Sequence, residues 1–364
     1  TFGGAFAEPL ELTDLDNLDR PVPDRGIIWL RVGNELDETE YVDGLQVLAV
    51  DHPADRTIVP TQAGVALSLT SLGEPVAAVD QAGRDALAQI RAADGWNWES
   101  TLRQRDLADS TQIRDRLEIA FIRPTGEQHA TLVLDGHNTA WASMLLKRFV
   151  AAHGNETRNW YAAMARSPQS ARRMAAGLAR EGFLSVSIRT GDRWTSRGMF
   201  WEAGPEIAKR QALPLDLAGV VGDTVRIRLE SIPSFWLLDQ LSVAWGAAEP
   251  VTPRALPLLL AEDRQGQDVT EQLSTADSVR LTLETDDWAE LRYQDAPAPT
   301  AGLTRSYLLR STGWYRVHTP EAGAVDTALL REVESGPGGA SRVAVRNLNE
   351  ALRWLSPARA GGAP

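Results

Sequence analysis

Asp51 and His52 stand side by side in LAVDHPADRTIVP (48–60), where an alternating apolar run breaks into a loop holding a second aspartate and two prolines. An Asp–His pair orients and relays a proton when a nucleophile joins it. No G-x-S-x-G elbow occurs anywhere, and the chain has no cysteine, so neither a serine nor a thiol nucleophile has an anchor. Asp135 and His137 near Ser143, in LDGHNTAW (134–141) and beyond, pose the same question. There the simpler reading is a strand end with Asn138 or Thr139 capping the next helix.

Metal chemistry is as thinly supported. Asp14, Asp16, Asn17 and Asp19 cluster in TDLDNLDRPVPD (13–24) like the oxygen ligands of a short calcium loop. That loop would need a Gly at its sixth position, and Arg20 and Arg25 fall among the acids instead. The reading is an acidic loop, with Asp14, Asp16 and Asp19 as the weak candidate ligands. The five histidines (His52, His129, His137, His153 and His318) form no HxH, HExxH or HxxxH pair, so zinc would have to be assembled from distant strands. No phosphate loop is present and no cofactor is called for. Glu202 and Glu206, beside Trp201, are one acid pair, among 49 acidic residues, of the type a glycosidase uses.

Twelve tryptophans against five tyrosines are the most unusual entry in the composition. They suit core anchors of β-sandwiches or an aromatic face for a sugar or protein. Trp96, Trp98, Trp194 and Trp201 are the stacking candidates for a carbohydrate. The net charge of −12 argues against nucleic acid, whose phosphates need clustered Lys and Arg. No apolar run approaches the ~20 residues that span a bilayer. The opening TFGGAFAEPLEL has neither Met nor a basic leader, as expected of a chain whose export signal has been removed and whose anchor, if any, lies upstream.

The elements that must position these residues are mostly strands. Ile28, Leu30 and Val32, then Val42, Leu45, Val47 and Ala49, alternate in two runs joined by the acidic NELDETE, which predicts a hairpin. RLEIAFIRP (116–124) and HATLVLDG (129–136) predict a second pair, joined by TGEQ. RDALAQIRAADG (84–95) reads as a short helix. Trp141, Leu145, Phe149 and Ala152 fall at helical spacing, and the helical pattern runs through 137–182 with Pro168 as a break. Strands resume from 183 to 320, and Val345, Leu348, Leu352 and Leu355 mark a C-terminal helix. The fold class is therefore mainly β: two β-sandwich or jelly-roll-like units with a helical insertion between them and a C-terminal helix. The boundaries are 1–136, 137–182, 183–320 and 321–364.

An internal echo supports duplication. AVDQAGRDALAQI (78–90) and AEDRQGQDVTEQL (261–273) share Ala, Asp, Gly, Asp and Gln at the same offsets. Each copy lies downstream of a related strand, DGLQVLAV (43–50) and DQLSVAW (239–245). The second strand leads into GAAEPVTP, where Trp245 and Gly246 replace Asp51 and His52 while the prolines recur. Asp51 and His52 then read as a strand exit.

The order LSVSIRTGDRW, LPLDLAGVVGDTVRIRLES, FWLLDQLSVAW (184–245) resembles jelly-roll domains of the galactose-binding type. NELDETEYVDGLQVLAVDHP and WEAGPEIAKRQALPLDLAGV resemble uncharacterised β-rich modules of exported bacterial envelope proteins. The resemblance implies a β-sandwich fold and export to the periplasm or cell exterior, and transfers no catalytic residue. The function expected is a non-enzymatic, membrane-extrinsic structural or binding subunit. It would dock on a larger protein assembly, for instance a respiratory or photosynthetic membrane complex. A carbohydrate-binding module and a glycoside hydrolase are the alternatives.

Overall fold

The computed structural model describes residues 7–18, 21–99, 114–167, 169, 171–172, 176, 180–201, 204–205, 207–336 and 338–355. The strands in chain order are β1 (Leu12–Leu18), β2 (Ile27–Gly33), β3 (Glu38–Pro53), β4 (Thr57–Pro60), β5 (Ala66–Leu69), β6 (Ala77–Asp80), β7 (Asp115–Ile122), β8 (His129–Asn138), β9 (Leu184–Thr190) and β10 (Arg193–Phe200). They continue as β11 (Lys209–Asp216), β12 (Thr224–Ser231), β13 (Trp236–Trp245), β14 (Glu249–Val251), β15 (Arg254–Ala255), β16 (Leu258–Asp263), β17 (Leu281–Leu283), β18 (Trp288–Gln294) and β19 (Leu303–Val317). The helices are α1 (Ala140–Ala151), α2 (Thr157–Arg166), α3 (Thr270–Ser274), α4 (Thr327–Glu334) and α5 (Gly339–Leu355). The protein is mainly β, with a helical region in mid-chain and a C-terminal helix. No helix of the described residues is long and apolar enough to cross a membrane.

Five antiparallel sheets form successive layers. Sheet I has the order β16–β18–β2, and sheet II the order β1–β19–β3–β15 with β17 also on β3. Sheet III is β14–β5–β4, sheet IV β11–β8–β13 and sheet V β10–β9–β12–β7–β6. Sheets I and II enclose one core around Ile28, Val47, Leu291 and Tyr293. Sheets IV and V enclose another around Leu132, Leu241, Ile119 and Ile227. Sheet III lies between the sandwiches and is apolar on both faces, because side chains alternate along a strand. Ile58 and Ala66 pack against Leu48 and Leu308 of sheet II, whereas Val59, Leu67 and Leu69 pack against Val133 and Ala244 of sheet IV.

The pairing corrects the consecutive division at 137 and 183. Sheets I and II combine strands from residues 12–53 with strands from 254–317, and sheets IV and V combine 77–138 with 184–245. One sandwich is thus inserted within the other. Two expected hairpins are corrected for the same reason. β2 pairs with β18 while β3 pairs with β19, and β7 pairs with β12 while β8 pairs with β11 and β13. In each case the connection carries the chain from one sheet of a sandwich to the other. Both strands still bury one face in the same core, and alternation records that burial without identifying the hydrogen-bonded neighbour.

The echo is a structural repeat with crossed wiring. Asp80 Oδ1 accepts from the Ala82 and Arg84 amides, and Asp263 Oδ1 from those of Gln265 and Gln267. Asp85 and Asp268 cap the next turns through Leu87 N and Thr270 N. Residues 84–95 form only a 3-10 turn at Leu87–Gln89, where α3 stands in the second copy. Each motif is then clamped by a buried aspartate from a partner strand. Asp239 Oδ1 receives Gly95 N (2.9 Å) and Asp94 N (3.2 Å), and Asp43 Oδ1 receives Ser278 N (2.7 Å) and Asp277 N (3.2 Å). Both aspartates sit at a register shift, which frees the side chain to leave the ladder. The first copy therefore belongs with β13 and the second with β3, the reverse of their order along the chain.

Helices α1, α2, α4 and α5 lie along one side of the stack and touch both sandwiches. Leu145 of α1 meets Val333 and Ala344 beside Ile232 and Phe235 of the inserted sandwich, and Leu146, Trp160 and Tyr161 meet Tyr315 of the outer one. Thr139 caps α1 by accepting from Ala142 N. Glu181, 3% exposed, accepts from Gly338 N, Ser341 N and Ser341 Oγ at the start of α5.

Candidate functional site

The four tryptophans expected to form a stacking platform do not share a face. Trp98 is 3% exposed, lies in the core of the inserted sandwich and bridges Leu238 of β13 through paired backbone hydrogen bonds. Its place in that platform is corrected: hydrophobic burial claims the ring. Trp96, two residues earlier, is 58% exposed beside β13. Trp194 lies on β10, the edge of sheet V remote from β6, and the Arg228 guanidinium covers its ring at 4.1 Å. Trp201 follows β10, is 38% exposed and stacks on Phe183 with ring centroids 6.4 Å apart.

The acidic candidates Asp14 and Asp16 lie on β1 rather than in a loop, which corrects the calcium-loop reading. Both are held by the buried Lys209 ammonium at the start of β11, which reaches Asp16 at 3.1 Å and also contacts Asp14. Burial raises the Asp16 pKa against the opposing pull of Lys209. Burial also pulls on the Lys209 ammonium, but Asp16 and Asp14 outweigh it and hold it above the usual lysine value. The cation satisfying this pair is a side chain, and it ties the two sandwiches together. Asp19, Glu202 and Glu206 lie outside the described residues, as does Pro168. Among the described residues, no group of three or more His, Asp or Glu is placed to share a metal ion.

Asp51 and His52 have structural partners. Arg305 holds Asp51 bidentately at 2.6 and 2.9 Å and keeps its carboxyl below the usual range. His52 Nε2 shares a 2.8 Å hydrogen bond with Ser306 Oγ. Asp135 is gripped by Arg210, and His137 Nδ1 lies 2.9 Å from Asn138 O. The pair at 51–52 is therefore a strand exit pinned to β19.

Two features absent from the sequence reading stand out. The first is the outward face of sheet I, the end layer of the stack. Trp29 on β2 is 51% exposed; Arg292 on β18 lies over its ring at 4.4 Å and reaches Glu262 on β16 at 3.0 Å. Beside this ladder Arg31 lies over Trp288 at 4.0 Å, and Leu259 is 51% exposed. Sheet V carries the counterpart, with Arg228 between Trp194 and Glu118. These side chains meet because they are cross-strand neighbours on one face.

The second is a cleft of about 650 Å³ between sheets I and II, at the edge formed by β1 and β2. Leu30, Val32, Leu291 and Leu309 form its apolar walls, and Lys209 with Asp16 closes one end. Glu40 of β3 lies toward the other end, which Asn34 ties together by donating to Glu38 O and Leu283 O. Burial pushes the Glu40 carboxyl up to about 7, and its buried Oε2 has no hydrogen-bond partner among the described residues. Glu40 ends the stretch NELDETE, where it is indistinguishable from turn acids. Its only signal is that it precedes Val42 by two residues and so shares that residue's inward face.

No family model matches the chain, and no curated protein matches it in sequence.

Proposed function

We propose that the protein is a non-enzymatic, exported binding subunit that docks on a larger, membrane-associated protein assembly through the outward face of sheet I. The observation that carries this reading is the Trp29–Arg292–Glu262 ladder with the adjacent Arg31–Trp288 stack. Trp and Arg are enriched among the few residues that carry most of the binding energy at protein interfaces. Stacking across strands holds them in place beforehand, so less side-chain freedom is lost on docking. A protein suits this face better than a glycan, because a guanidinium already covers one side of each ring that a sugar would stack on.

The test is cross-linking and co-elution from a mild-detergent extract of the native membrane, with mass spectrometry of the partners. Wild type is expected to retain a defined partner at fixed stoichiometry. Trp29→Ala/Arg31→Ala is expected to lose it, and Trp194→Ala on the opposite end layer to keep it. A wild-type monomer without a stoichiometric partner, or a double variant that keeps the partner, refutes the reading. One observation favours carbohydrate binding as a second reading: Trp96 and Trp201 are exposed. Loss of glycan-array signal in Trp96→Ala or Trp201→Ala would select it.

A further inference from the structure

The cleft between sheets I and II is a ligand-sized opening, since pockets for small molecules run from roughly 300 to 1,000 Å³ and this one measures about 650 Å³. Most of its polar groups are already committed. The Tyr293 hydroxyl donates to Leu45 O at 2.8 Å, and Asp16 is held by Lys209. Arg31, on β2, lies flat over Trp288. Glu40 is the exception, with a buried carboxylate oxygen that meets no donor among the described residues. The charged groups lining the cleft on its side are Glu35 from the β2–β3 connection, Asp286 and Asp287 from the β17–β18 turn, and Arg31 from β2. Acids therefore outnumber bases around Glu40, and the walls beyond it are leucine and valine. A buried carboxyl without a counter-ion is costly to ionise, and a cation placed against it removes that cost.

We propose that this cleft binds a small organic ammonium ion, its charged head against Glu40 and its apolar body along Leu30, Val32 and Leu291. The site shares Arg31 and Trp288 with the rim of the docking face, but its contacts with the ligand are Glu40, Leu30, Val32 and Leu291, so it stands whether or not that face has a partner. Its charge dependence follows from Glu40. A carboxyl with a pKa of about 7 is roughly one-tenth ionised at pH 6 and nine-tenths at pH 8.

The probe is n-butylammonium, which stays charged across this range, with n-butanol as its neutral counterpart. Both are titrated at pH 6 and pH 8 by calorimetry and by backbone amide NMR shifts. The butylammonium Kd is expected to fall about tenfold from pH 6 to pH 8, with shifts at residues 30–40 and 286–291, while butanol binding stays constant. Glu40→Gln is expected to abolish the pH dependence, and Glu40→Asp to retain part of it. An unchanged or raised thermal midpoint shows that Glu40→Gln folds. Equal affinity for butanol and butylammonium at pH 8, pH dependence that persists in Glu40→Gln, or no wild-type binding of either probe overturns the proposal.

Discussion

Replacing Lys209 by methionine isolates a buried cation that joins the inserted sandwich to β1 of the outer sandwich. The substitution keeps an unbranched apolar stem as far as Cε and removes the ammonium, leaving Asp14 and Asp16 without their cation. Removing one partner of a buried ion pair costs about 3–5 kcal/mol. The two aspartate side chains are 22% and 20% exposed, so water reaches them and the low end applies, about 3 kcal/mol at pH 7.5. The pH dependence follows from the carboxylates. Burial already raises Asp16, so its contribution to stability is complete below its unfolded pKa of 3.8 and declines as pH rises through its folded value. Without Lys209 that decline deepens, because the ammonium that opposes the effect of burial on Asp16 is gone. Urea unfolding followed by tryptophan fluorescence should show the full deficit at pH 7.5 and a deficit at least halved at pH 4.5. Lys209→Met/Asp14→Asn/Asp16→Asn should recover most of it at neutral pH. A single variant within about 0.5 kcal/mol of wild type at pH 7.5, or a deficit equal at both pH values, would show that the cluster does not couple the sandwiches.

Asp43→Ala and Asp239→Ala should cost nearly the same, about 3 kcal/mol each by urea unfolding, because each removes a buried carboxylate that receives two backbone amides. Costs differing by more than twofold would contradict the structural repeat. Glu181→Ala should destabilise the start of α5 by about 1–2 kcal/mol, read as at least a tenfold loss of amide hydrogen-exchange protection over residues 338–346. Glu40→Gln should stabilise the protein at pH 8 and not at pH 4. The wild-type carboxyl rises from 4.5 to about 7 on folding, so the ionised residue opposes folding increasingly as pH climbs through that interval. The gain should approach about 2–3 kcal/mol in thermal or urea unfolding.

The sequence made the strands legible but not their partners. Period-two alternation at Ile28, Leu30 and Val32 reports one buried face, and that face is buried equally by a hairpin or by opposite sheets of a sandwich. The echo between residues 78–90 and 261–273 disclosed the repeat, because each Asp-turn motif is local. Its wiring depends on Asp43 and Asp239, whose bonds reach 234 and 144 residues along the chain to Asp277 N and Gly95 N. Trp96 and Trp98 are identical in type and two residues apart, yet one is exposed and the other is core. Asp14 and Asp16 suggested a metal because their counter-ion, Lys209, lies far along the chain. Glu40 was hidden for the opposite reason, standing close to Glu35 and Asp37, which do face water.

The insertion of one sandwich into the other sets an order of events during synthesis. All strands of sheets IV and V lie within residues 115–245 apart from β6, so that core is complete once β13 has emerged. Strands β1, β2 and β3 emerge first, yet their partners β18 and β19 come more than 200 residues later. Pairing over such separations is slow, and unpaired apolar strands are prone to association while they wait. The outer sandwich is therefore the last to close, and its early strands are the part most exposed to association meanwhile. Sheet III is the latch: β5 carries the chain into the inserted sandwich and β14 carries it out, and the two pair at Ser68 and Glu249. Once they pair, the ends of the insert are held together and β15–β19 are delivered beside the strands that have been waiting for them.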